Sequence, residues 1–150
     1  MEAFKNLSMR KMTHIEGTLE TRLLSIILVD EDQNYWPTLN RLIVKYPEIG
    51  SVRIAAFAGE LFDMLGDTPP DVVIIDSSMP GMDGFAATKR LLAMHPTVKV
   101  VILSNHNTDE YRDKARACGA EVFIPKQDAA EGLETVLKDI AIKKLEHGQQ

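Results

Sequence analysis

The sequence predicts an α/β protein built on a doubly wound, five-stranded parallel sheet. Two observations predict it: five short apolar runs lack polar alternation, and segments with helical spacing separate them. Strands covered by helices on both faces have near-continuous apolar sequences, whereas strands with one face exposed to solvent alternate between apolar and polar residues. Because right-handed crossovers place helices on both sides of a parallel sheet, an open sheet is expected rather than a repeat architecture.

The five predicted strands share short length and many β-branched residues, which favour extended backbone. In chain order they run from Leu24 to Val29, Val52 to Phe57, Val72 to Ile75, Val98 to Leu103 and Val122 to Ile124.

The first three predicted helices are recognised by apolar residues at helical spacing. The first carries one apolar face from Tyr35 to Tyr46 and ends before Pro47, because the residue before proline avoids helical geometry. A short second helix and a third that stops at Pro96 follow. Their apolar positions are Leu61, Phe62 and Leu65, then Ala87, Leu91 and Met94.

Terminal residues mark the last two predicted helices. Thr108 is a typical first residue of a helix and Gly119 a typical last one, so they bound the fourth helix. Asp128 with Glu131 resembles a capping arrangement for the fifth. Its apolar stripe consists of Leu133, Val136, Leu137, Ile140 and Ala141.

Composition narrows the class of protein. The chain has 150 residues, 45% of them hydrophobic, which suits one domain with one core. A formal charge of −5 gives no general attraction to nucleic acid or to an anionic membrane. Its single cysteine, Cys118, excludes an internal disulfide, and the apolar runs are too short to cross a bilayer. We expect a cytoplasmic protein without direct nucleic-acid or membrane binding.

The expected organisation is one domain with two short flanks. Residues 1–22 are interpreted as an extension, with a partner-binding helix as the alternative, because their apolar residues are only loosely periodic. Residues 23–146 form the predicted domain and residues 147–150 a tail. No output domain is recognised within these 150 residues, so either the domain acts alone through protein contacts or it was part of a longer protein.

Polar side chains collect where the predicted strands end. In doubly wound sheets, ligands bind outside the carboxyl ends of the strands. The first, third and fourth strands end in polar side chains, and a lysine follows the fifth. These residues are Asp30, Glu31 and Asp32 after the first, Asp76 after the third, Ser104 after the fourth and Lys126 after the fifth.

These residue types fit phosphoryl transfer to a carboxylate. Clustered carboxylates repel one another unless a cation lies among them, and oxygen ligands favour Mg²⁺ or Mn²⁺. A carboxylate such as Asp76 can be the nucleophile when a metal and Lys126 neutralise the transferring group and the Ser104 hydroxyl donates to it. Taken singly, Asp30 and Asp32 could instead cap the first helix.

Four stretches resemble the receiver domains of response regulators in two-component signalling, the CheY-like domains. Ile27 to Asp32 (ILVDED) resembles the acidic motif, and Asp71 to Gly84 (DVVIIDSSMPGMDG) resembles the phosphoacceptor motif. Val100 to Ser104 (VVILS) looks like the hydroxyl-bearing strand, and Gly119 to Lys126 (GAEVFIPK) looks like the aromatic and lysine motif. The similarity extends from about Leu24 to Leu145.

The resemblance implies a flavodoxin-like (βα)5 fold with strand order 2-1-3-4-5. By position it makes Asp76 the phosphoacceptor and Lys126 the partner of the phosphoryl group. It makes Asp30 and Glu31 the acidic pair at a Mg²⁺ ion, which Asp76 and the backbone carbonyl of Ser78 would also contact.

The resemblance also implies a conformational switch. In the family, phosphorylation draws the hydroxyl residue inward and lets the aromatic residue rotate, which here are Ser104 and Phe123. The sequence departs from the commonest pattern in three places: Glu31 replaces an aspartate, Asn105 replaces a small residue, and Pro125 precedes the lysine instead of a proline following it.

Implied partners follow from the same resemblance. They are a sensor histidine kinase or phosphotransfer protein, or a small phosphodonor, and a downstream protein or output domain. A homodimer through the fourth helix, fifth strand and fifth helix is a further expectation. The domain itself would be no enzyme beyond its own phosphorylation and dephosphorylation.

Two alternatives remain open at this point. A phosphatase of the haloacid dehalogenase type would use Asp30 and Asp32, but it requires a hydroxyl or valine where Asn34 stands and leaves Asp76 unexplained. A pseudo-receiver would keep the fold as a binding module without phosphorylation. Glu31 and Asn105 favour that alternative, whereas the retained Asp76 and its partners favour phosphorylation.

Overall fold

The structure is a computed structural model that describes residues 23–148. The predicted extension 1–22 and the last two residues of the predicted tail lie outside the described residues. Within the described part, the chain folds as alternating strands and helices around one sheet. None of the helices in this part is long and apolar enough to cross a bilayer.

The sheet has five parallel strands in the order β2-β1-β3-β4-β5, which confirms the predicted topology. The strands are β1 (Leu24–Val29), β2 (Ile49–Ala55), β3 (Val72–Asp76), β4 (Lys99–Ser104) and β5 (Val122–Pro125). Strand order reverses between β1 and β3, so the carboxyl ends of these two central strands border the crevice in which such folds bind ligands.

Within residues 23–148, five α-helices connect or follow the strands, as predicted. They are α1 (Trp36–Val44), α2 (Ala58–Leu65), α3 (Gly84–Met94), α4 (Asp109–Cys118) and α5 (Ala129–Gly148). The predicted limits of the fourth helix are confirmed. The Thr108 hydroxyl accepts a hydrogen bond from the backbone N–H of Tyr111, and Gly119 ends the helix with a φ of 93°.

Both predicted limits of the second strand were wrong. The second strand begins at Ile49 and ends at Ala55, whereas Val52 to Phe57 was expected, because pairing with β1 extends through the polar residues that precede Val52. After β5, Asp128 is the last residue of a 3₁₀ turn, Lys126–Asp128, and directly precedes α5. That helix continues to Gly148.

The core lies on both faces of the sheet because alternate strand residues point to opposite sides. On one face, Leu28 and Ile74 pack under α1 and α5. On the other, Ile27 and Ile75 pack under α2, α3 and α4. All five residues of β3 are buried, which explains their continuous apolar run up to Asp76.

Candidate functional site

Three predicted site residues meet at the carboxyl edge of the sheet. Lys126, directly after β5, places its Nζ 2.8 Å from Oδ2 of Asp30, after β1, and 3.6 Å from Oδ2 of Asp76, at the end of β3. The two carboxyl residues are buried, with 2% of Asp30 and 7% of Asp76 exposed. The lysine amine is therefore shared between two carboxylates that are largely screened from water.

The backbone after β1 holds Asp30 in place. Its Oδ1 accepts a hydrogen bond from the N–H of Asp32 at 2.9 Å, and its carbonyl accepts one from the indole Nε1 of Trp36 at 2.6 Å. The N-cap residue of helix α1 is Tyr35, and no side chain caps the helix with a hydrogen bond. The alternative that Asp30 or Asp32 caps this helix is therefore wrong.

A close approach of backbones shapes the loop after Asp76. The N–H of Gly84 donates to the carbonyl of Ser77 at 2.9 Å, and a Cβ on Gly84 would lie 2.1 Å from the backbone oxygen of Asp76. Only glycine fits that space without moving the backbone. Oδ1 of Asp76 accepts a bond from the N–H of Ser78 at 3.3 Å. The loop thus folds back against Asp76.

Tyr35 is a site residue that the sequence interpretation missed. It was assigned only to the apolar face of α1, yet the Lys126 amine lies 4.7 Å from its ring centroid. An ammonium in that position is attracted by the negative face of the ring. Helical spacing in the sequence gave no sign that the ring covers the lysine, because the contact joins residues that are far apart in the chain.

The predicted hydroxyl residue, Ser104, is fully buried at the end of β4. Its Oγ accepts hydrogen bonds from Oγ of Ser77 at 2.7 Å and from the N–H of His106 at 3.0 Å. Ser77 was not singled out in the sequence, where it appears only as a residue of the acceptor motif. The structure therefore adds a second buried hydroxyl beside the predicted one.

Phe123, the predicted switch aromatic, is half-buried on β5 and packs against the core face covered by α2, α3 and α4. The guanidinium of Arg112, on α4, lies 5.3 Å from its ring centroid. The ring therefore lies next to α4, but its rotation on phosphorylation stays a prediction.

Glu31 differs from Asp30 and Asp76 in its exposure to solvent. Glu31 is exposed, whereas Asp30 and Asp76 are buried. Within residues 23–148, no three His, Cys, Asp or Glu side chains are arranged to share a metal ion. The carboxylates that the structure buries together here are those of Asp30 and Asp76, and Glu31 and Ser78 follow them closely in the sequence.

Burial and the neighbouring charges shift the pKa of Asp76. Burial, and then the nearby Asp30 carboxylate, raise the pKa of Asp76, while Lys126 and the hydrogen bond from Ser78 oppose the rise. For Lys126, burial alone would lower the pKa, but the hydrogen bond to Asp30 and the charge of Asp76 raise it overall. Lys126 therefore stays an ammonium at neutral pH.

The raised pKa of Asp76 predicts a pH-dependent stability. The folded protein holds this proton more tightly than the unfolded chain, whose carboxyl keeps its ordinary value of 3.8. The contribution of Asp76 to the free energy of unfolding is therefore fully present below pH 3.8 and is lost as pH rises through the raised pKa. We expect Asp76→Asn to be more stable than the unsubstituted protein at pH 7, with a difference that shrinks as pH falls.

Urea denaturation of both proteins at a series of pH values, with chelator present, measures this difference. A difference of the same size at every pH would show that ionisation of Asp76 does not set it.

Comparisons with known proteins identify the family of this chain. The sequence model of the response regulator receiver domain matches residues 26–138. The transcriptional regulatory protein DegU of Brevibacillus brevis is 27% identical over 118 residues, which cover 79% of this chain and 50% of that protein. A protein-glutamate methylesterase/protein-glutamine glutaminase of Shewanella oneidensis is 32% identical over 127 residues, covering 81% and 35%. This chain thus spans about half or less of these curated relatives.

Solved structures give the same result. A two-component response regulator of the LuxR family from Aurantimonas sp. SI85-9A1 superposes with a TM-score of 0.70 at 27% identity, over 85% of this chain and 99% of that one. A CheY-like receiver domain protein from Methanospirillum hungatei JF-1 shares the fold with a TM-score of 0.72 at 20% identity, over 83% and 98%. With its motifs at the ends of β1, β3, β4 and β5, the chain belongs to the response regulator receiver domain family of two-component systems.

Proposed function

We propose that this chain is a phosphoacceptor receiver that takes a phosphoryl group onto Asp76 in a Mg²⁺-dependent reaction. The observation that supports it best is the shared amine: Lys126 Nζ lies between Asp30 and Asp76 at the carboxyl edge of the sheet. A buried carboxylate paired with a lysine can act as a nucleophile toward phosphorus. Family membership points the same way, since phosphorylation and Mg²⁺ are typical of receiver domains.

In the proposed step, an Oδ atom of Asp76 attacks the phosphorus of the donor. The bond from phosphorus to the donor nitrogen or oxygen breaks, and its electron pair leaves with the donor. The Lys126 ammonium stabilises the charge on the phosphoryl oxygens, and the Ser104 hydroxyl donates a hydrogen bond to one of them. Hydrolysis by water later returns the carboxylate and inorganic phosphate.

A divalent cation would supply further neutralisation of the phosphoryl oxygens. The residues proposed to hold it are Asp30, Glu31 and Asp76, with the backbone carbonyl of Ser78. Burial, and then repulsion from the Asp30 carboxylate, raise the pKa of Asp76, and a cation beside the two carboxylates would relieve that repulsion. Glu31, which is exposed, is free to approach from the solvent side.

The partners are proposed from the family and not from contacts of this chain. A sensor histidine kinase, a phosphotransfer protein or a small phosphodonor would supply the group, and a downstream protein or output domain would read the change around Ser104 and Phe123. The same proposal includes a homodimer through α4, β5 and α5, a location in the cytoplasm, and no catalysis beyond phosphorylation and dephosphorylation of the domain itself. It also includes a core domain of residues 23–146, with residues 1–22 and 147–150 as its flanks.

Intact-protein mass spectrometry tests the central step. Incubation with acetyl phosphate and Mg²⁺ is expected to add the mass of one phosphoryl group. Asp76→Asn and a sample with chelator should both show no gain, because one lacks the nucleophile and the other the cation.

A folded protein that gains no mass would contradict the proposal and favour a pseudo-receiver. Titration with Mg²⁺, followed by the fluorescence of Trp36, then separates the two causes. The indole N–H of Trp36 bonds to the Asp30 carbonyl, so this single tryptophan reports on the site. A protein that binds the ion but accepts no phosphoryl group has a site closed to the donor, whereas one that binds no ion is a pseudo-receiver.

A further inference from the structure

Ser77 is a buried polar residue that the proposed reaction does not use. It follows Asp76 directly, and only 2% of it is exposed. Its backbone is anchored on both sides: its N–H donates to the carbonyl of Leu103 at 2.9 Å, and its carbonyl accepts from Gly84 at 2.9 Å. These bonds leave its position little freedom, so its hydroxyl is presented to β4 at a defined point.

The Ser77 hydroxyl donates a hydrogen bond to Ser104, whose own hydroxyl is proposed to donate to the phosphoryl group. The two Oγ atoms lie 2.7 Å apart in a buried environment, and the N–H of His106 is the other partner of Ser104. Among the residues that the structure describes, Ser104 makes no side-chain hydrogen bond to Asp76 or Lys126. Its hydroxyl therefore has partners other than the acceptor before phosphorylation.

Resting on the proposed function, we propose that Ser77 is a positioning residue that holds Ser104 in the unphosphorylated arrangement and sets the threshold of the switch. Ser104 accepts a hydrogen bond from the Ser77 hydroxyl, so the inward movement of Ser104 toward a phosphoryl oxygen on Asp76, which the receiver family implies, would carry its Oγ away from Ser77 and break this bond. Both hydroxyls are shielded from water, so the bond broken in this step is not replaced at once by solvent. The equilibrium between the two arrangements thus includes the free energy of this one bond.

The expected effect follows from the size of a neutral hydrogen bond. A net contribution of about 0.5–1.5 kcal/mol corresponds to roughly a two- to tenfold change in an equilibrium constant. Removing the Ser77 hydroxyl releases Ser104 and therefore favours the phosphoryl-bound arrangement. Ser77→Ala is expected to bind a phosphoryl mimic roughly two- to tenfold more tightly than the unsubstituted chain.

A double-mutant cycle tests this. The probe is beryllofluoride with Mg²⁺, and its dissociation constant is measured by titration calorimetry for the unsubstituted chain, Ser77→Ala, Ser104→Ala and the double variant. Because Ser77 acts through Ser104, the gain from Ser77→Ala should disappear when Ser104 is already alanine. Such coupling distinguishes positioning from a general effect on folding, which thermal unfolding of each variant monitors separately.

Each outcome decides the matter. Tighter binding by Ser77→Ala alone, absent in the Ser104→Ala background, supports the proposal. Unchanged or weaker binding by Ser77→Ala, or an equal gain in both backgrounds, overturns it while leaving the phosphoacceptor function intact. An unsubstituted chain that does not bind the mimic overturns the phosphoacceptor function, and the role of Ser77 in switching with it.

Discussion

Replacing Lys126 by methionine is expected to slow phosphorylation of Asp76 strongly and to destabilise the fold. Methionine is an unbranched side chain one atom shorter than lysine, and it lacks the ammonium. Loss of a charged group aimed at the transferring oxygens should slow phosphorylation by acetyl phosphate about 10²-fold or more. The rate of mass gain in a time course of intact-protein mass spectrometry measures this effect.

The loss of stability in Lys126→Met has a separate cause. Without the amine, the carboxylates of Asp30 and Asp76 stay buried with no cation between them. Breaking a buried ion pair by removing one partner typically costs about 3–5 kcal/mol. Urea denaturation at pH 7 with chelator present should show a loss of that order, and a second change, Asp30→Asn, should recover part of it by removing one unpaired charge.

Lys144→Met is the matched control. Lys144 also pairs with a carboxylate, Asp71, at 2.9 Å, but both side chains are 28% exposed and lie at the opposite edge of the sheet. We expect a loss of about 1 kcal/mol or less and no change in phosphorylation. Equal losses in the two variants, or normal phosphorylation of Lys126→Met, would contradict the assigned role of Lys126.

Replacing Gly84 by alanine is the second change with a large expected effect. The new Cβ would lie 2.1 Å from the backbone oxygen of Asp76 and 2.9 Å from the Cα of Ser77. Since these are backbone atoms, the loop itself must move. Overpacking of this kind costs about 1–3 kcal/mol or more, and the backbone that has to move includes that of Asp76. Both the free energy of unfolding and the rate of phosphorylation should fall.

Gly59→Ala controls for the change from glycine to alanine. Gly59 also lies in the first turn of a helix, α2, but it is exposed, and its added Cβ would meet only the ring edge of Phe57 at 3.0 Å. Alanine is better than glycine in a helix by about 0.5–1 kcal/mol, so this variant should be as stable as the unsubstituted chain or more so. A Gly84→Ala protein of unchanged stability and activity would show that the loop tolerates movement.

Much of the fold could be predicted because its signals are local. Unbroken apolar runs such as Val72 to Ile75 belong to strands buried on both faces, and the structure buries every residue of β3. Thr108 and Gly119 act within one turn of the chain, so the limits of α4 were also predictable. The limits of β2 were harder to predict, because its start at Ile49 depends on pairing with β1 and its residues are mixed in polarity.

For the candidate site, the sequence predicted which residues lie at the edge of the sheet but not which contacts they make. Strand ends in a parallel sheet meet at one edge, so the sequence by itself determined that Asp30, Asp76, Ser104 and Lys126 would gather there. It did not determine which atoms pair. Lys126 and Asp30 are 96 residues apart in the chain, and their 2.8 Å contact is closer than the one to Asp76.

Only the tertiary structure decided the surroundings of these residues. The ring of Tyr35 over the Lys126 amine, the bond between Ser77 and Ser104, and the exposure of Glu31 all depend on how side chains from separate elements meet. Composition and spacing describe each element on its own, through its periodicity and its terminal residues. Contacts between elements depend on packing and strand register, which are set only when the whole sheet and its helices have assembled.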